Sequence, residues 1–251
     1  MQPLVRDNIR LAATVMLLRD TPTGLEVYMV QRPGRGDFPD LHVFPGGKVD
    51  EDDWAPRHCF GIDDVEASAC LGIAAGGLRY WVAVARECFE ECGVLIVHHN
   101  DRPLDLSAPA VRQKFVDYRH QLLAGELSFS ALCERENLRV ACDSLAYFSH
   151  WITPDVVPRR FDTRFFLAAL PDHQIALADT DETADDQWEK PAEALARFEA
   201  KQWQMIDPTL RSLETLAQFS TVTQALAQVN QGDHLMPLTT ELNRQGMQVL
   251  R

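Results

Sequence analysis

Aliphatic and β-branched residues fill positions 11–19 and 25–31, and Asp20-Thr21-Pro22-Thr23-Gly24 between them is turn chemistry. The pattern predicts a β-hairpin. A Gly/Pro loop, residues 32–40, then leads into a short strand over 41–44. Over 78–93 the spacing becomes helical, with Trp81, Ala85, Cys88, Phe89 and Cys92 on one stripe and Gly93 where a helix end favours glycine. A strand over 94–97 follows. Residues 107–140 again have helical spacing, with Val111, Phe115, Tyr118, Leu122 and Leu123 on one side and a second helix near 129–137. Strands are expected over 146–152, halted by Thr153-Pro154, and over 158–168, then an acidic loop over 179–188. Helices over 191–200, 208–219 and 221–229 close the chain. Strands alternating with helices predict an α/β fold with a mixed sheet between helices.

Neither a repeat nor a clear linker interrupts residues 1–251, so a single domain is expected. It carries an insert over 54–77, a helical excursion over 107–140 and C-terminal helices over 191–229. A net charge of −13 argues against a nucleic acid duplex as partner, because neutralising phosphates takes clustered Lys and Arg. A small anionic substrate stays compatible with that charge through a metal ion and a few local arginines. The apolar run over 11–18 is too short to cross a membrane and lacks a cleavage site after it. Six cysteines at 59, 70, 88, 92, 133 and 142 have no disulfide-framework spacing, which predicts core thiols in a reducing compartment and a cytoplasmic protein. A homodimer is left open.

The candidate chemistry centres on Arg86-Glu87-Cys88-Phe89-Glu90-Glu91-Cys92-Gly93-Val94. On a helix Glu87, Glu90 and Glu91 share one face opposite the apolar stripe. Carboxylates this close repel one another unless a cation sits among them, and an all-oxygen donor set suits Mg²⁺ or Mn²⁺. A plain solvated acidic face is the competing reading of the three glutamates alone. Upstream, Gly46 and Gly47 in Phe44-Pro45-Gly46-Gly47 can turn sharply and bring backbone carbonyls to an ion. Arg86 would orient the glutamates by ion pairing. In the loop over 32–40, Arg32 or Arg35 could hold phosphate and Phe38 could stack a base, a solvated turn being the alternative. Arg160 or Arg164 could face a diphosphate, or could pair with surface acids.

Together these residues resemble the Nudix box, G-x5-E-x7-R-E-U-x-E-E-x-G-U with U apolar, the signature of the Nudix hydrolase superfamily. Arg86, Glu87, Glu90, Glu91 and Gly93 fill the fixed positions of its second half. Two departures stand out: Asp53 occupies the first glutamate's position, and 32 residues separate it from Arg86 where the pattern has 7. A split box resembles the branch that includes mammalian peroxisomal coenzyme A diphosphatases, although Gln248-Val249-Leu250-Arg251 is not a peroxisomal address of the S-K-L type. The resemblance implies a Nudix α/β/α sandwich and metal-assisted hydrolysis of a nucleoside diphosphate linked to another moiety. It implies that Glu87, Glu90 and Glu91 hold Mg²⁺ or Mn²⁺, with Gly46 or Gly47 adding a carbonyl. It also implies a further carboxylate beyond the box, Glu182 first and Asp185 second, with Glu87 or Glu182 taking the proton. Coenzyme A or its derivatives lead the substrate classes. The coenzyme A motif of another Nudix branch wants glycine where this chain has Asp40, so nucleotide sugars, dinucleotides and nucleoside polyphosphates stay open. A non-catalytic module that senses a nucleotide is the alternative from a different class.

Overall fold

The computed structural model describes residues 5–6, 9–32, 40–153, 159–178 and 185–231. Strands β1 (Val5–Arg6), β2 (Ile9–Thr21), β3 (Gly24–Gln31), β4 (His42–Val43) and β5 (Gly46–Lys48) come first, followed by a 3-10 turn over Glu51–Asp53. Then come β6 (Cys59–Phe60), α1 (Asp64–Leu71), α2 (Leu78–Cys92), β7 (Val97–His99), β8 (Arg102–Pro103), α3 (Pro109–Leu123) and α4 (Phe129–Arg135). The chain continues through β9 (Leu138–Ala141), β10 (Ala146–Ile152), β11 (Arg160–Ala169), β12 (Asp185–Glu189), α5 (Pro191–Glu199), α6 (Asp207–Leu216) and α7 (Val222–Asn230).

The main sheet runs β10-β11-β2-β3-β12, mixed in direction because β11 lies parallel to β2 while the other pairs are antiparallel. β2 is apolar on both faces, as a strand covered on both sides must be. Leu11, Ala13, Val15 and Leu17 meet α2, whereas Met16 and Leu18 meet the layer of α5, α6 and α7 through Ala194, Leu213 and Val229. The result is the α/β/α sandwich that the residue pattern and the box resemblance predict. A smaller sheet, β6-β9-β7-β8, extends the α2 side and was not foreseen.

One device in β2 positions the site. Its first half pairs with β5, through Ala12 to Thr14, and its last residues, Leu18 to Thr21, pair with β3. Between them the strand changes partner, and the Val15 amide donates to the Pro45 carbonyl at 2.9 Å. β5 therefore splays from β3 and carries Gly46 and Gly47 to the edge facing α2. The insert is partly helical and joined to α2: the Asp64 carboxylate accepts from the Leu78 and Gly76 amides. Residues 185–188, expected as loop, are strand, because Asp185 to Glu189 ladder onto β3. The strand expected over 94–97 begins at Val97 instead. No helix among the described residues is long and apolar enough to cross a membrane.

Candidate active site

α2 ends where its sequence predicts, with Gly93 at φ 70° in the left-handed region. Its last two turns bring Arg86, Glu87, Glu90 and Glu91 against β5 and the turn that carries Asp53. Arg86 is the hub. Its Nε and Nη2 grip the buried Asp53 carboxylate at 2.9 and 3.0 Å, and Nη2 also donates to the Lys48 carbonyl at 2.7 Å. Its Nη1 reaches Glu87 and Glu90, each at 2.8 Å. All five guanidinium N–H bonds thus have an acceptor. Burial alone would lower the guanidinium pKa, but the Asp53 hydrogen bonds and the Glu87 charge outweigh it and hold Arg86 cationic. The Asp53 carboxylate also accepts from the Asp50 amide at 2.7 Å, closing its own turn. Asp53, one methylene shorter than the box's glutamate, still reaches the arginine across the insert.

Gly46 and Gly47 are glycines for reasons of space. A β-carbon on Gly46 would sit 2.5 Å from the Ala13 carbonyl oxygen, and one on Gly47 2.4 Å from Glu87 Oε1. Bare backbone lets the bend close on the helix, and the Gly46 amide donates to Glu91 Oε2 at 2.8 Å. Burial, then repulsion from Glu91 and Glu90, pushes the Glu87 carboxyl up to about 8 despite the Arg86 cation. Glu87 and Glu91 line a cleft of about 750 Å³ with Gly46, Gly47, Lys48 and Asp50; Glu90 is not on its wall. Among the described residues no three His, Cys, Asp or Glu side chains form a metal-binding group. The donor chemistry nevertheless fits a hard divalent cation: two carboxylates open to one cleft, with no thiolate or imidazole among the described residues of the same wall.

Arg32 also lines the cleft. The two other arginines proposed to face a diphosphate do not. Arg164 is buried on the opposite side of β11, where Nη1 donates to the Leu71 carbonyl at 3.1 Å and the Tyr147 hydroxyl at 3.0 Å. Arg160 shares that parity, and its Nε donates to the Thr153 carbonyl at 2.9 Å. Strand alternation is the cause: Phe161, Thr163 and Phe165 face the cleft, and Arg160 and Arg164 alternate with them. Arg35, Phe38 and Glu182 lie outside the described residues. Asp185 is exposed and accepts from the Asp186 amide, while the Asp186 carboxylate takes the Tyr28 hydroxyl at 2.5 Å. Sequence reasoning missed Lys48, Trp151, Phe161 and Ile206 of the cleft wall. The alternation in 158–168 could have located Phe161, but nothing local marks Ile206.

A family model described as the NUDT19 Nudix domain matches residues 72–216. The chain is 29% identical to the acyl-coenzyme A diphosphatase NUDT19 of Gallus gallus over 243 residues, covering 80% of this chain and 63% of that protein. It is 27% identical to the Homo sapiens protein of the same name over 236 residues, covering 79% and 62%. It therefore spans less than two thirds of these relatives' length. Among solved structures, a NUDIX hydrolase from Alicyclobacillus acidocaldarius superposes with a TM-score of 0.66 at 25% identity, covering 90% of this chain and 97% of that one.

Proposed function

The chain belongs to the NUDT19 Nudix-domain family of the Nudix hydrolases, and from that premise we propose that it is a divalent-metal-dependent diphosphohydrolase. Its substrate would be a nucleoside diphosphate linked to a second moiety, coenzyme A or its thioesters first, and its products two monophosphates. The observation that carries this reading is the closure of the Gly46-Gly47 bend onto Glu87 and Glu91 at one wall of the cleft. The names of the two NUDT19 relatives support the coenzyme A choice.

Glu87 and Glu91 would hold Mg²⁺ or Mn²⁺, with Glu90 drawn toward Arg86 as the reserve carboxylate of the cluster. The bound ion would supply charge neutralisation at the phosphoryl oxygens and a lowered pKa for the attacking water. Arg86 holds Glu87 and Glu90 in register through one guanidinium, and Asp53 holds Arg86. Lys48 and Arg32 are the cations on the described cleft wall that can meet phosphate charge. A carboxylate takes the proton of the attacking water; Glu87 is the described candidate, and Glu182 is the candidate outside the described residues. The six free cysteines are consistent with a reducing compartment, and we place the protein in the cytoplasm.

The test is product analysis. The full chain with Mg²⁺ or Mn²⁺ should convert coenzyme A to two monophosphate-bearing products, chelator should stop the reaction, and Glu91→Gln should slow it by about 10²-fold or more. Absence of phosphate-bearing products from coenzyme A, ADP-ribose and NADH with either ion would overturn the proposal.

A further inference from the structure

β4 is only two residues long, and its ladder pairs Val43 with Val30 and His42 with Gln31 on β3. Two rungs hold a strand weakly. A second hold comes from the connector between α5 and α6: Leu41 bridges to Gln204, and the His42 amide donates to the Gln204 carbonyl at 2.8 Å. Beside that bridge the His42 imidazole lies on the Trp203 indole, ring centroids 4.2 Å apart and planes 9° from parallel. The other ring pairs among the described residues are tilted or edge-on.

Trp203 is itself fixed. The Gln202 and Trp203 amides both donate to the Arg197 carbonyl near the end of α5, at 2.9 and 3.3 Å. The Arg197 guanidinium carbon stands 5.4 Å from the Trp203 ring centre, and its Nε donates to Glu189 on β12 at 2.7 Å. His42 rests on this plate without using its Nδ1, which is buried and has no hydrogen-bond partner. Burial, against the Asp185 charge, holds the His42 pKa below its ordinary value, which keeps the stacked ring neutral at physiological pH. Neither ring lines the cleft, but their chain neighbours do: Leu41 and Val43 flank His42, and Ile206 and Pro208 follow Trp203. The Arg32 amide donates to the Leu41 carbonyl at 2.9 Å, so the backbone that carries Arg32 is one hydrogen bond and one peptide unit from His42.

We infer that Trp203 and His42 are positioning residues: their stack fixes β4 and, through the Leu41 carbonyl, the place from which Arg32 meets the phosphate charge of the substrate. The inference rests on the hydrolase reading and adds what holds that cation in place, since a guanidinium grips an anion only where its donors are aimed. If the pair served packing alone, its loss would be read as stability. A positioning pair is read in substrate affinity, and alike for every substrate, because the diphosphate is common to all of them. β5 and α2, which carry the metal-side groups, take no part in the stack, so kcat is spared.

The experiment measures kcat, KM and urea midpoints of the full chain with Mg²⁺ on coenzyme A and ADP-ribose. The variants are Trp203→Leu and His42→Ala, with Trp203→Phe and His42→Phe as controls that keep a flat ring, and Trp203→Leu is also combined with Arg32→Ala. The expected result is KM raised about tenfold for both substrates in Trp203→Leu and His42→Ala, with kcat within about twofold and near-parent KM in the two controls. With Arg32→Ala in place, Trp203→Leu should add less than about twofold to KM, since the contact it misplaces is already gone. The same factor in both backgrounds, or parent-like KM in folded Trp203→Leu and His42→Ala, would overturn the inference and leave the stack as packing. Binding of α,β-methylene-ADP with Mg²⁺, read as Kd by calorimetry, needs no turnover. A matching tenfold loss there in a parent that hydrolyses nothing would sink the hydrolase reading alone, whereas hydrolysis with Kd unmoved by the variants would sink the positioning pair alone. A parent that binds the analogue no more tightly than Arg32→Ala would overturn the inference as well.

Discussion

Gly47 presses its backbone against the Glu87 carboxylate, leaving no room for a β-carbon, which would stand 2.4 Å from Oε1 and 2.6 Å from Oε2. The obstacle is the end of a side chain, so Gly47→Ala should fold and push Glu87 aside. A displacement of about 1 Å in a reacting group can cost about 10²-fold in rate, and that loss is expected in kcat with little change in unfolding midpoint. Gly46→Ala should behave differently. Its β-carbon would meet the Ala13 carbonyl and the Thr14 backbone, which cannot swing away, so about 1–3 kcal/mol of stability should be lost. Paired urea titrations and initial rates separate the two. Equal destabilisation by both changes would refute the distinction.

The Asp53–Arg86 pair gives a second prediction. Both side chains are buried, and Asp53→Ala would leave the guanidinium with two of its five acceptor contacts missing. Breaking a buried pair by removing one partner typically costs about 3–5 kcal/mol, so the variant should unfold well before the parent in urea. Arg86→Lys keeps the charge but supplies three donors from a point, and cannot hold Asp53, Lys48, Glu87 and Glu90 together. It should lose activity beyond its loss of stability. Parent-like kcat in a folded Arg86→Lys protein would exclude the hub role.

The periodic parts of this fold are legible in the sequence. The stripe Trp81, Ala85, Cys88, Phe89, Cys92 and the stop at Gly93 placed α2, because a helix packed on a sheet must show one apolar face. The box alone points to Gly46 and Gly47 beside Glu87 and Glu91, whereas Glu90 turns to Arg86 and stays off the cleft wall. The insert hid its role because Asp64 caps α2 from 14 residues upstream of Leu78, a contact with no local signature. β12 was read as loop because Asp185 and Asp186 are poor strand formers, and pairing with β3 overrides that preference. The side-chain parity of β11 is legible in the alternation of 158–168, which sets Phe161, Thr163 and Phe165 on the face opposite Arg160 and Arg164.

Arg164 tests that correction. It ties β11 to the Leu71 carbonyl at the end of α1 and to Tyr147, behind the sheet. Arg164→Ala would strand the Leu71 carbonyl and leave Asp162, 3.6 Å from its Nε, without that cation. A loss of about 3 kcal/mol in stability is expected, with KM for the diphosphate substrate within about twofold of the parent. A rise in KM of tenfold at full stability would return Arg164 to the substrate side.

Glu87 makes metal-free stability depend on pH in a defined direction. Burial and the neighbouring glutamates raise its folded pKa to about 8 from the ordinary 4.5. Between those values the folded state binds the proton more than the unfolded state does, so stability falls as pH rises from about 4.5 to about 8. Below 4.5 both states are protonated and this contribution is fully present; above 8 it is gone. Thermal unfolding with chelator present should therefore show Tm declining across that window, and Glu87→Gln, which cannot ionise, should flatten the decline. A Mg²⁺ ion held by Glu87 as proposed would compete with the proton for that carboxylate, so the Tm gain on adding it should be larger at pH 8 than at pH 6. A Glu87→Gln profile parallel to that of the parent would show that the charge resides elsewhere in the cluster.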